Sequence, residues 1–307
     1  MLTILMATYN GERYLAEQID SLLAQTFSDF NLCIQDDVST DGTWQILEDY
    51  QKRYPEKIKI IKRETPSGSA KENFLDMITT YRDDYIMLCD QDDFWLPNKI
   101  ERTMQKMKAT EAENPKQPVL IHTDLKVVDQ NLQVIQSSFQ SSTNRDYNRK
   151  AYPYMLTVNN ASGCTIMYNR ALADLLYVKP AYTMMHDWWI KLIAASFGQI
   201  GHINEQTILY RQHGANALGA KDVRTLKYKI SRLLDWRKLR EDLRATCTQA
   251  KSLLDCYEDK LTPEQIDLLR RYSGIPSKSK LGRWYTICSL GTFMKGISRN
   301  IAFFLFI

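Results

Sequence analysis

The stretch Tyr85-Ile-Met-Leu-Cys-Asp-Gln-Asp-Asp93 joins a short apolar run to three carboxylates. The apolar part has the length of a buried β-strand, and the aspartates begin where that strand would end. Similar apolar runs alternate with segments of helical periodicity along the first part of the chain, at Leu2–Ala7, Phe30–Ile34, Ile58–Ile61 and Val119–His122. This alternation is typical of βαβ units and predicts a mostly parallel sheet covered on both faces.

Ligands of such sheets bind at the carboxyl ends of the strands. Three loops lie at these ends: Thr8–Gly11, Asp36–Gly42 and Asp90–Asp93. One aspartate cluster alone is typical of a solvated turn or a helix cap. Two clusters at one sheet edge favour a ligand site, because adjacent carboxylates repel and need a cation or hydrogen-bond donors nearby. A divalent metal that bridges carboxylate and diphosphate would supply that compensation.

The composition is that of an ordinary soluble protein and excludes several classes. The chain has 307 residues, of which 44% are hydrophobic and 25% are charged. Its six cysteines form no CxxC pair, which disfavours a disulfide scaffold or a cysteine zinc site and favours a reducing compartment. Neither GxGxxG nor GxxxxGKS/T occurs, so a Rossmann dinucleotide site and a P-loop lack their main support. The opening apolar run, Met1–Ala7, is too short for a signal peptide.

Charge is distributed unevenly along the chain. Residues 1–220 carry 22 basic and 27 acidic side chains, whereas residues 221–307 carry 18 and 9. We therefore expect an acidic domain, 1–220, and a basic helical region, 221–307, that meet different partners. An acidic first domain argues against nucleic acid as a partner. Within the basic region, Thr262-Pro-Glu-Gln265 has the pattern of a helix capping box.

The basic region suits an anionic membrane surface, because it interleaves basic and apolar residues at helical spacing. Two alternatives stay open, namely a solvated helix packed on the first domain and a homodimer contact. The apolar segment Trp284–Ile307 is interrupted by Lys295, Arg299 and Asn300, which disfavours a spanning helix of about 20 apolar residues. Surface attachment would make the protein cytoplasmic and peripheral on the inner face of the cell membrane.

Three motifs together resemble those of the family 2 glycosyltransferases: Ala7-Thr-Tyr-Asn-Gly11, Gln35-Asp-Asp-Val-Ser-Thr-Asp-Gly-Thr43 and Asp90-Gln-Asp-Asp93. The resemblance covers about residues 2–217. It implies the GT-A nucleotide-diphospho-sugar transferase fold, which is α/β with a Rossmann-like, mostly parallel sheet, here followed by a C-terminal helical extension. It also implies a nucleotide-diphospho-sugar donor and a divalent metal, Mg or Mn.

The resemblance carries over to single positions of the three motifs. Asp37 would contact a pyrimidine base, and Asp92 would be the metal-binding carboxylate of the DxD motif. Val38 departs from the pattern, since family members often have glycine there. The donor-binding residues implied are Thr8, Tyr9, Asn10, Asp37, Asp90 and Gln91.

Asp187 lies in Met185-His-Asp-Trp-Trp189, at the start of an apolar helical run. By residue type alone, Asp187 could be a helix N-cap residue. By resemblance, it matches the catalytic aspartate of inverting members, the general base that takes the proton of the acceptor hydroxyl. Trp188 is a candidate for stacking on an acceptor sugar or for core packing. Gly163 and Cys164 resemble a small-residue stretch on the acceptor side, although a tight turn would also explain them.

The segment Tyr210-Arg-Gln-His-Gly-Ala-Asn216 is similar to one in bacterial rhamnosyltransferase-like members, where it closes over the diphosphate. This similarity makes Arg211 and His213 candidate donor-site residues, and His213 also a candidate metal ligand; an ordinary loop histidine is the alternative. Together with the Asp187 segment, it resembles the rhamnosyltransferases of streptococcal rhamnose-polysaccharide synthesis. That similarity implies dTDP-L-rhamnose as donor and a lipid-linked saccharide as acceptor in cell-wall or capsular polysaccharide synthesis.

Three other functions are alternatives to this transferase. They are a UDP-hexose-dependent transferase of the same fold, a non-catalytic sugar-nucleotide- or glycan-binding protein, and a nucleotidyltransferase on a related sheet. Asp90, Asp92 and Asp187 together favour an enzyme, because binding alone needs no base. A nucleotidyltransferase would have a glycine-rich first loop bearing Arg or Lys, whereas this loop carries only Gly11 and Arg13.

Overall fold

The computed structural model describes residues 1–143, 145–149, 151–213 and 235–307. These residues form two compact units. The first comprises Met1–Phe139, Ala161–Lys179 and Gln199–Ala220, and the second Gln140–Asn160, Pro180–Gly198 and Lys221–Ile307, each as far as it is described. The expected division at residue 220 lies outside the described residues, as does the basic stretch up to residue 234.

The first unit is built on one sheet, to which the described residues contribute nine strands. The strands are β1 (Leu2–Thr8), β2 (Phe30–Asp36), β3 (Ile58–Lys62), β4 (Tyr85–Cys89), β5 (Phe94–Trp95), β6 (Val119–Val128), β7 (Val134–Gln136), β8 (Ile166–Asn169) and β9 (Gln199–Arg211). Their order is β3-β2-β1-β4-β8-β6-β9-β5, and β7 pairs with β6.

The helices of the chain fall into two groups. The first unit contains α1 (Leu15–Leu23), α2 (Thr43–Arg53), α3 (Ala70–Thr80), α4 (Lys99–Glu113) and a short α7 (Arg170–Ala173), while α5 (Phe139–Thr143) begins where this unit ends. The second unit contains α6 (Tyr152–Thr157), α8 (His186–Phe197), α9 (Trp236–Tyr257), α10 (Pro263–Ser273), α11 (Lys280–Leu290) and α12 (Ile297–Phe306).

The parallel part of the sheet brings the three motif loops to one edge. Strand β1 lies between β2 and β4 and is parallel to both, with Thr8 opposite Asp36 and Met6 opposite Cys89. All seven residues of β1 are buried, because helices cover both faces of a sheet of this kind. The predicted α/β architecture is therefore confirmed, and the loops after β1, β2 and β4 lie side by side.

Antiparallel pairs add a fourth segment to this edge. Strand β8 is antiparallel to both β4 and β6, and β9 runs parallel to β6. The two-residue strand β5 follows Asp93 directly and pairs with β9, so that Phe94 lies opposite Leu209. The end of β9, at Arg211, is thereby held next to the acidic loop after β4.

The second unit packs around α8. Nine consecutive residues of this helix, His186–Ala194, are buried, as expected for a helix surrounded by protein on all sides. Trp189 is fully buried, and its ring lies 6.2 Å from that of Tyr257 at the end of α9. In the part of the chain that the structure describes, no helix is both long and apolar enough to cross a bilayer.

The capping box at the start of α10 supplies a stability test. Thr262 accepts a hydrogen bond from the backbone N–H of Gln265, and the Gln265 side chain accepts one from the backbone N–H of Thr262. Thr262→Ala should lower the free energy of unfolding by about 1 kcal/mol, because a helix N–H then loses its partner. Thermal and chemical denaturation monitored by circular dichroism measure the change.

The matched control is Thr248→Ala on the exposed face of α9. This substitution removes the same atoms from the interior of a helix, where alanine is the better helix former, so stability should stay constant or rise slightly. Equal losses for the two variants would contradict the capping role.

Candidate functional site

The side chain of Gln91 joins the first and third motif loops of the first unit. Its amide oxygen accepts a hydrogen bond from Tyr9 N (2.8 Å), and its amide nitrogen donates to Tyr9 O (2.9 Å). A Cβ atom at Gly11 would lie 2.4 Å from Gln91 Oε1, so glycine permits this close approach. Asn10 adopts φ 47°, a left-handed conformation that Asn tolerates, and accepts a hydrogen bond from Thr40 N.

The second motif loop presents two aspartates in different surroundings. Asp36 accepts hydrogen bonds from Thr8 Oγ1 (3.0 Å) and from Ser39 N (2.9 Å), which ties the ends of β1 and β2 together. Asp37 accepts from both the backbone N–H (2.6 Å) and the hydroxyl (2.8 Å) of Ser67, and Arg63 Nε lies 3.3 Å away. Asp37 is thus held by the loop that follows β3.

Val38 adopts a backbone conformation that favours glycine. Its φ is 63°, in the left-handed region that a β-branched residue enters only at a steric cost. The surrounding hydrogen bonds of Asp36 and Asp37 hold the loop in this conformation.

The buried guanidinium of Arg211 connects the end of β9 to the acidic loop. Arg211 is only 2% exposed. Its Nε donates to the backbone oxygen of Asp92 (2.9 Å), one terminal nitrogen donates to Gln130 O (2.7 Å), and the other pairs with Glu17. Its backbone N–H donates to Asp93 Oδ1 (3.2 Å). The fold therefore brings together residues that are 81 to 194 positions apart.

His213 contacts the acidic loop directly. Its Nε2 lies 2.7 Å from Asp92 Oδ2, and both side chains are partly exposed. The ring of Tyr14 lies 4.9 Å from the imidazole, and the Arg211 guanidinium carbon lies 4.4 Å from the same tyrosine ring. Asp92, Arg211 and His213, three residues that the sequence assigned to the donor and metal site, are thus grouped in the first unit.

A buried set of ionisable groups lies beneath the acidic loop. Burial raises the pKa of Asp93 well above its usual range, and the nearby carboxylates of Asp92 and Asp90 add to this effect. Burial also raises the pKa of the Cys164 thiol well above its usual range. Lys99 is fully buried, and burial lowers its pKa to about 8. Each shift favours the uncharged form, which limits the charge that the core contains.

The acidic loop fits a divalent cation on its partly exposed side. Asp90, Asp93 and Cys164 place ligand atoms within 4.8 Å of one another, but the raised pKa of Asp93 favours its protonated form, and a thiol is a poor ligand for Mg²⁺. Asp90 and Asp92 are partly exposed carboxylates, and His213 adds an imidazole nitrogen beside Asp92. Oxygen ligands suit Mg²⁺ and Mn²⁺, so the side-chain chemistry of Asp90 and Asp92 is compatible with such an ion. Among the described residues, however, the group with ligand atoms at metal-binding separations is Asp90, Asp93 and Cys164.

Asp187 belongs to the second unit and lies in the first turn of α8. Its Oδ1 accepts hydrogen bonds from Asn159 Nδ2 (2.9 Å) and from the backbone N–H of Trp188 (2.7 Å). Within the described residues Oδ2 accepts no hydrogen bond. One oxygen is thus fixed, while the other keeps its lone pairs. Burial lowers the pKa of Lys191, one turn further along, well below its usual value.

The candidate acceptor residues lie in mostly buried positions. Trp188 is buried, and its Nε1 donates to Met155 O (2.8 Å), which matches the core-packing alternative for this side chain. Gly163 and Cys164 form a short 3₁₀ turn before β8, and Cys164 is buried beside the acidic loop. Their acceptor-binding role stays a prediction.

Several residues that contact the candidate site residues were not identified from the sequence. They are Ser67 and Arg63 at Asp37, Glu17 at Arg211, and Asn159 at Asp187. Ser67 had a signal, because Pro66-Ser67-Gly68 marks a loop after a predicted strand, at the same sheet edge as the motifs. The other three act across long sequence separations that no local pattern reports.

The chain is similar to known proteins in its family model, its sequence and its fold. The model of the family described as glycosyl transferase family 2 matches residues 3–176. The chain is 31% identical over 235 residues to the dTDP-rhamnosyl transferase RfbG of Shigella flexneri, which covers 73% of this chain and 77% of that protein.

Solved structures share the fold at low sequence identity. S. aureus TarS 1-349, in complex with UDP-GlcNAc, matches with a TM-score of 0.55 at 18% identity and covers 94% of this chain and 80% of that one. The mannosyltransferase PcManGT from Pyrobaculum calidifontis, in complex with GDP-Man and Mn²⁺, matches with a TM-score of 0.51 at 13% identity and covers 98% and 77%.

The motif loops at one sheet edge, the matched family model and the GT-A neighbours agree with one another. The chain has a GT-A fold and belongs to glycosyl transferase family 2.

Proposed function

We propose that this glycosyltransferase is an inverting rhamnosyltransferase that uses dTDP-L-rhamnose and a lipid-linked saccharide acceptor in cell-wall or capsular polysaccharide synthesis. The single observation that carries the catalytic part is Asp187, whose Oδ1 is held by two donors while Oδ2 keeps its lone pairs. The choice of donor is supported by the relative named as a dTDP-rhamnosyl transferase. A cytoplasmic location at the inner face of the cell membrane is part of the proposal.

The donor side of the proposal assigns a task to each loop of the first unit. Asp37 would accept a hydrogen bond from the N3–H of a pyrimidine base, a group that thymine and uracil share. Arg211 and His213 would lie at the diphosphate, with Thr8, Tyr9, Asn10, Asp90 and Gln91 around the nucleoside. Asp92 and His213, next to Asp90, would hold a divalent metal, which when bound stabilises the negative charge of the leaving diphosphate.

The transfer step follows from general base catalysis. Asp187 Oδ2 would take the proton of the acceptor hydroxyl as that oxygen forms a bond to the anomeric carbon of the sugar. The bond between this carbon and the diphosphate oxygen breaks on the opposite face, and the electron pair leaves with the nucleoside diphosphate. The configuration at the anomeric carbon is therefore inverted.

The first test removes the metal-binding carboxylate. Asp92→Ala, or chelation with EDTA, should lower the transfer rate more than about hundredfold, because charge stabilisation at the diphosphate is worth several kcal/mol. Calorimetry with Mn²⁺ should show weakened metal binding in the variant. Asp174→Ala, which removes an exposed carboxylate of the same unit, is the control and should keep full activity. Full wild-type turnover in EDTA, with no bound metal, would contradict the metal assignment.

The second test determines the donor. Release of nucleoside diphosphate should be fastest with dTDP-L-rhamnose in a panel that includes UDP-glucose, UDP-galactose and UDP-GlcNAc, each with and without lipid-diphosphate-linked saccharides. Preference for a UDP-hexose would replace the donor and leave the family assignment intact. Tight binding of a nucleotide sugar with no release under any of these conditions would identify a binding protein instead.

The third test separates the two roles of Asp187. Asp187→Asn keeps the shape and the hydrogen bond from Asn159 but cannot accept the proton, so the transfer rate should fall by about 10²–10⁴. The affinity for the donor should change little. A role in helix capping alone predicts the reverse, with a lower melting temperature and nearly normal turnover.

Asp267→Asn on the exposed surface of α10 is the matched control, since it makes the same chemical change in the same unit. It should leave both rate and melting temperature unchanged. A folded Asp187→Asn protein that keeps most of its rate would exclude Asp187 as the base.

A further inference from the structure

Exposed apolar side chains are concentrated on the last two helices of the second unit. On α11, Leu281 and Tyr285 are 74% and 73% exposed, and on α12, Ile297, Ile301 and Leu305 are 81%, 54% and 52% exposed. Within each helix these residues are spaced by four, so they share one helix face. We call these five side chains the C-terminal apolar surface.

These helices already use their other faces for packing. Trp284 Nε1 of α11 donates to Phe304 O of α12 (2.7 Å), and the two aromatic rings are 6.3 Å apart. Arg283 donates to the backbone oxygen of Ile307, and Phe303 is fully buried. The exposure of the C-terminal apolar surface is therefore not the result of an unpacked chain end. Each of the two helices thus presents exposed apolar side chains in addition to those that it buries.

The segment that carries this surface has an excess of positive charge. After Asp267 the chain contains seven Lys and Arg residues and no Asp or Glu. Lys280 is exposed, one residue before Leu281, and Lys295 lies two residues before Ile297. Lys295 also lies 3.9 Å from Asp146 Oδ2 of the same unit, so one carboxylate borders this surface. An apolar surface on a segment with such an excess of cations is still complementary to the interface of an anionic bilayer, which offers negative headgroups above acyl chains. A second copy of this chain would bring the same positive charges to the contact and would be repelled.

We propose that the C-terminal apolar surface inserts into the interface of an anionic lipid bilayer, with the flanking lysines at the headgroups. This proposal goes beyond the transferase activity and does not depend on the identity of the donor or acceptor. The two helices are 11 and 10 residues long, which suits a position in the plane of the interface rather than across the bilayer.

The test is flotation of the full chain with vesicles. Binding should occur with vesicles that contain phosphatidylglycerol and phosphatidylcholine, should be much weaker with phosphatidylcholine alone, and should weaken in high salt because surface charges are screened. Ile297→Ser with Ile301→Ser should lower the partition coefficient at least about tenfold, because two exposed aliphatic side chains lose their apolar environment. Lys280→Gln with Lys295→Gln should lower it roughly fivefold per cation.

A matched control comes from the first unit. Val134 and Ile135 of β7 are each 56% exposed, so Val134→Ser with Ile135→Ser removes a comparable apolar area from another surface and should leave vesicle binding unchanged. Melting temperatures of the serine variants should equal that of the wild type, because the altered side chains are exposed. The donor-release assay should also be unaffected, which separates this test from that of the proposed function.

Three results would overturn the proposal. One is the absence of wild-type flotation with anionic vesicles, and another is equal binding by wild type and the Ile297/Ile301 variant. The third is a wild-type dimer in light scattering that becomes monomeric in that variant, since the surface would then be covered by a second copy.

Discussion

The buried guanidinium of Arg211 is the contact on which the acidic loop after β4 depends. Three carboxylates lie within four residues after β4, one of them buried and two partly exposed, and like charges so close together repel. Arg211 contacts this loop through the backbone oxygen of Asp92 and through Asp93 Oδ1, and Glu17 pairs with its far side. Because a buried cation must be paired, these contacts fix the end of β9 against the acidic loop. His213, two residues later, is thereby placed with its Nε2 2.7 Å from Asp92 Oδ2.

The ionisable groups buried beneath the acidic loop further reduce the charge inside the first unit. Burial and two neighbouring carboxylates raise the pKa of Asp93, while burial lowers the pKa of Lys99 to about 8. Both shifts move the buried interior toward neutrality, so the negative charge of the loop is concentrated on its partly exposed residues. Asp93 Oδ1 accepts a hydrogen bond from the Arg211 backbone N–H. One aspartate of the motif is thus buried and contacts the end of β9, while Asp90 and Asp92 stay partly exposed.

The sequence predicts those parts of the fold that depend on local pattern. The apolar runs before Gly11, Asp36 and Asp90 predicted parallel strands, and the rule on carboxyl ends placed their loops together, as the structure confirms. The capping box at Thr262 was predicted equally well, because both partners lie within four residues.

Contacts between distant segments could not be predicted in this way. Strand β9 begins at Gln199, because pairing with β6 stabilises a polar segment that has no strand pattern of its own. The bond from Asn159 to Asp187 spans 28 residues and depends on the packing of the second unit. Arg63 and Glu17 reach their partners through long side chains whose direction is decided only by the assembled fold. Side-chain pairs of this kind can be predicted only when the tertiary structure is known.

The second unit carries both the proposed base and the proposed lipid-facing surface, and this has a consequence for the acceptor. Asp187 is fixed on α8, which packs against the end of α9 through Trp189 and Tyr257, and the C-terminal apolar surface lies on helices of the same compact unit. The distance between base and surface is therefore set by the packing within one compact unit. A saccharide whose lipid end is in the bilayer can bring its hydroxyl to Asp187 only if its length matches that distance. The second unit would thus select acceptors by the length of the saccharide as well as by the side chains that contact it. A nucleotide sugar that diffuses freely is not subject to this restraint.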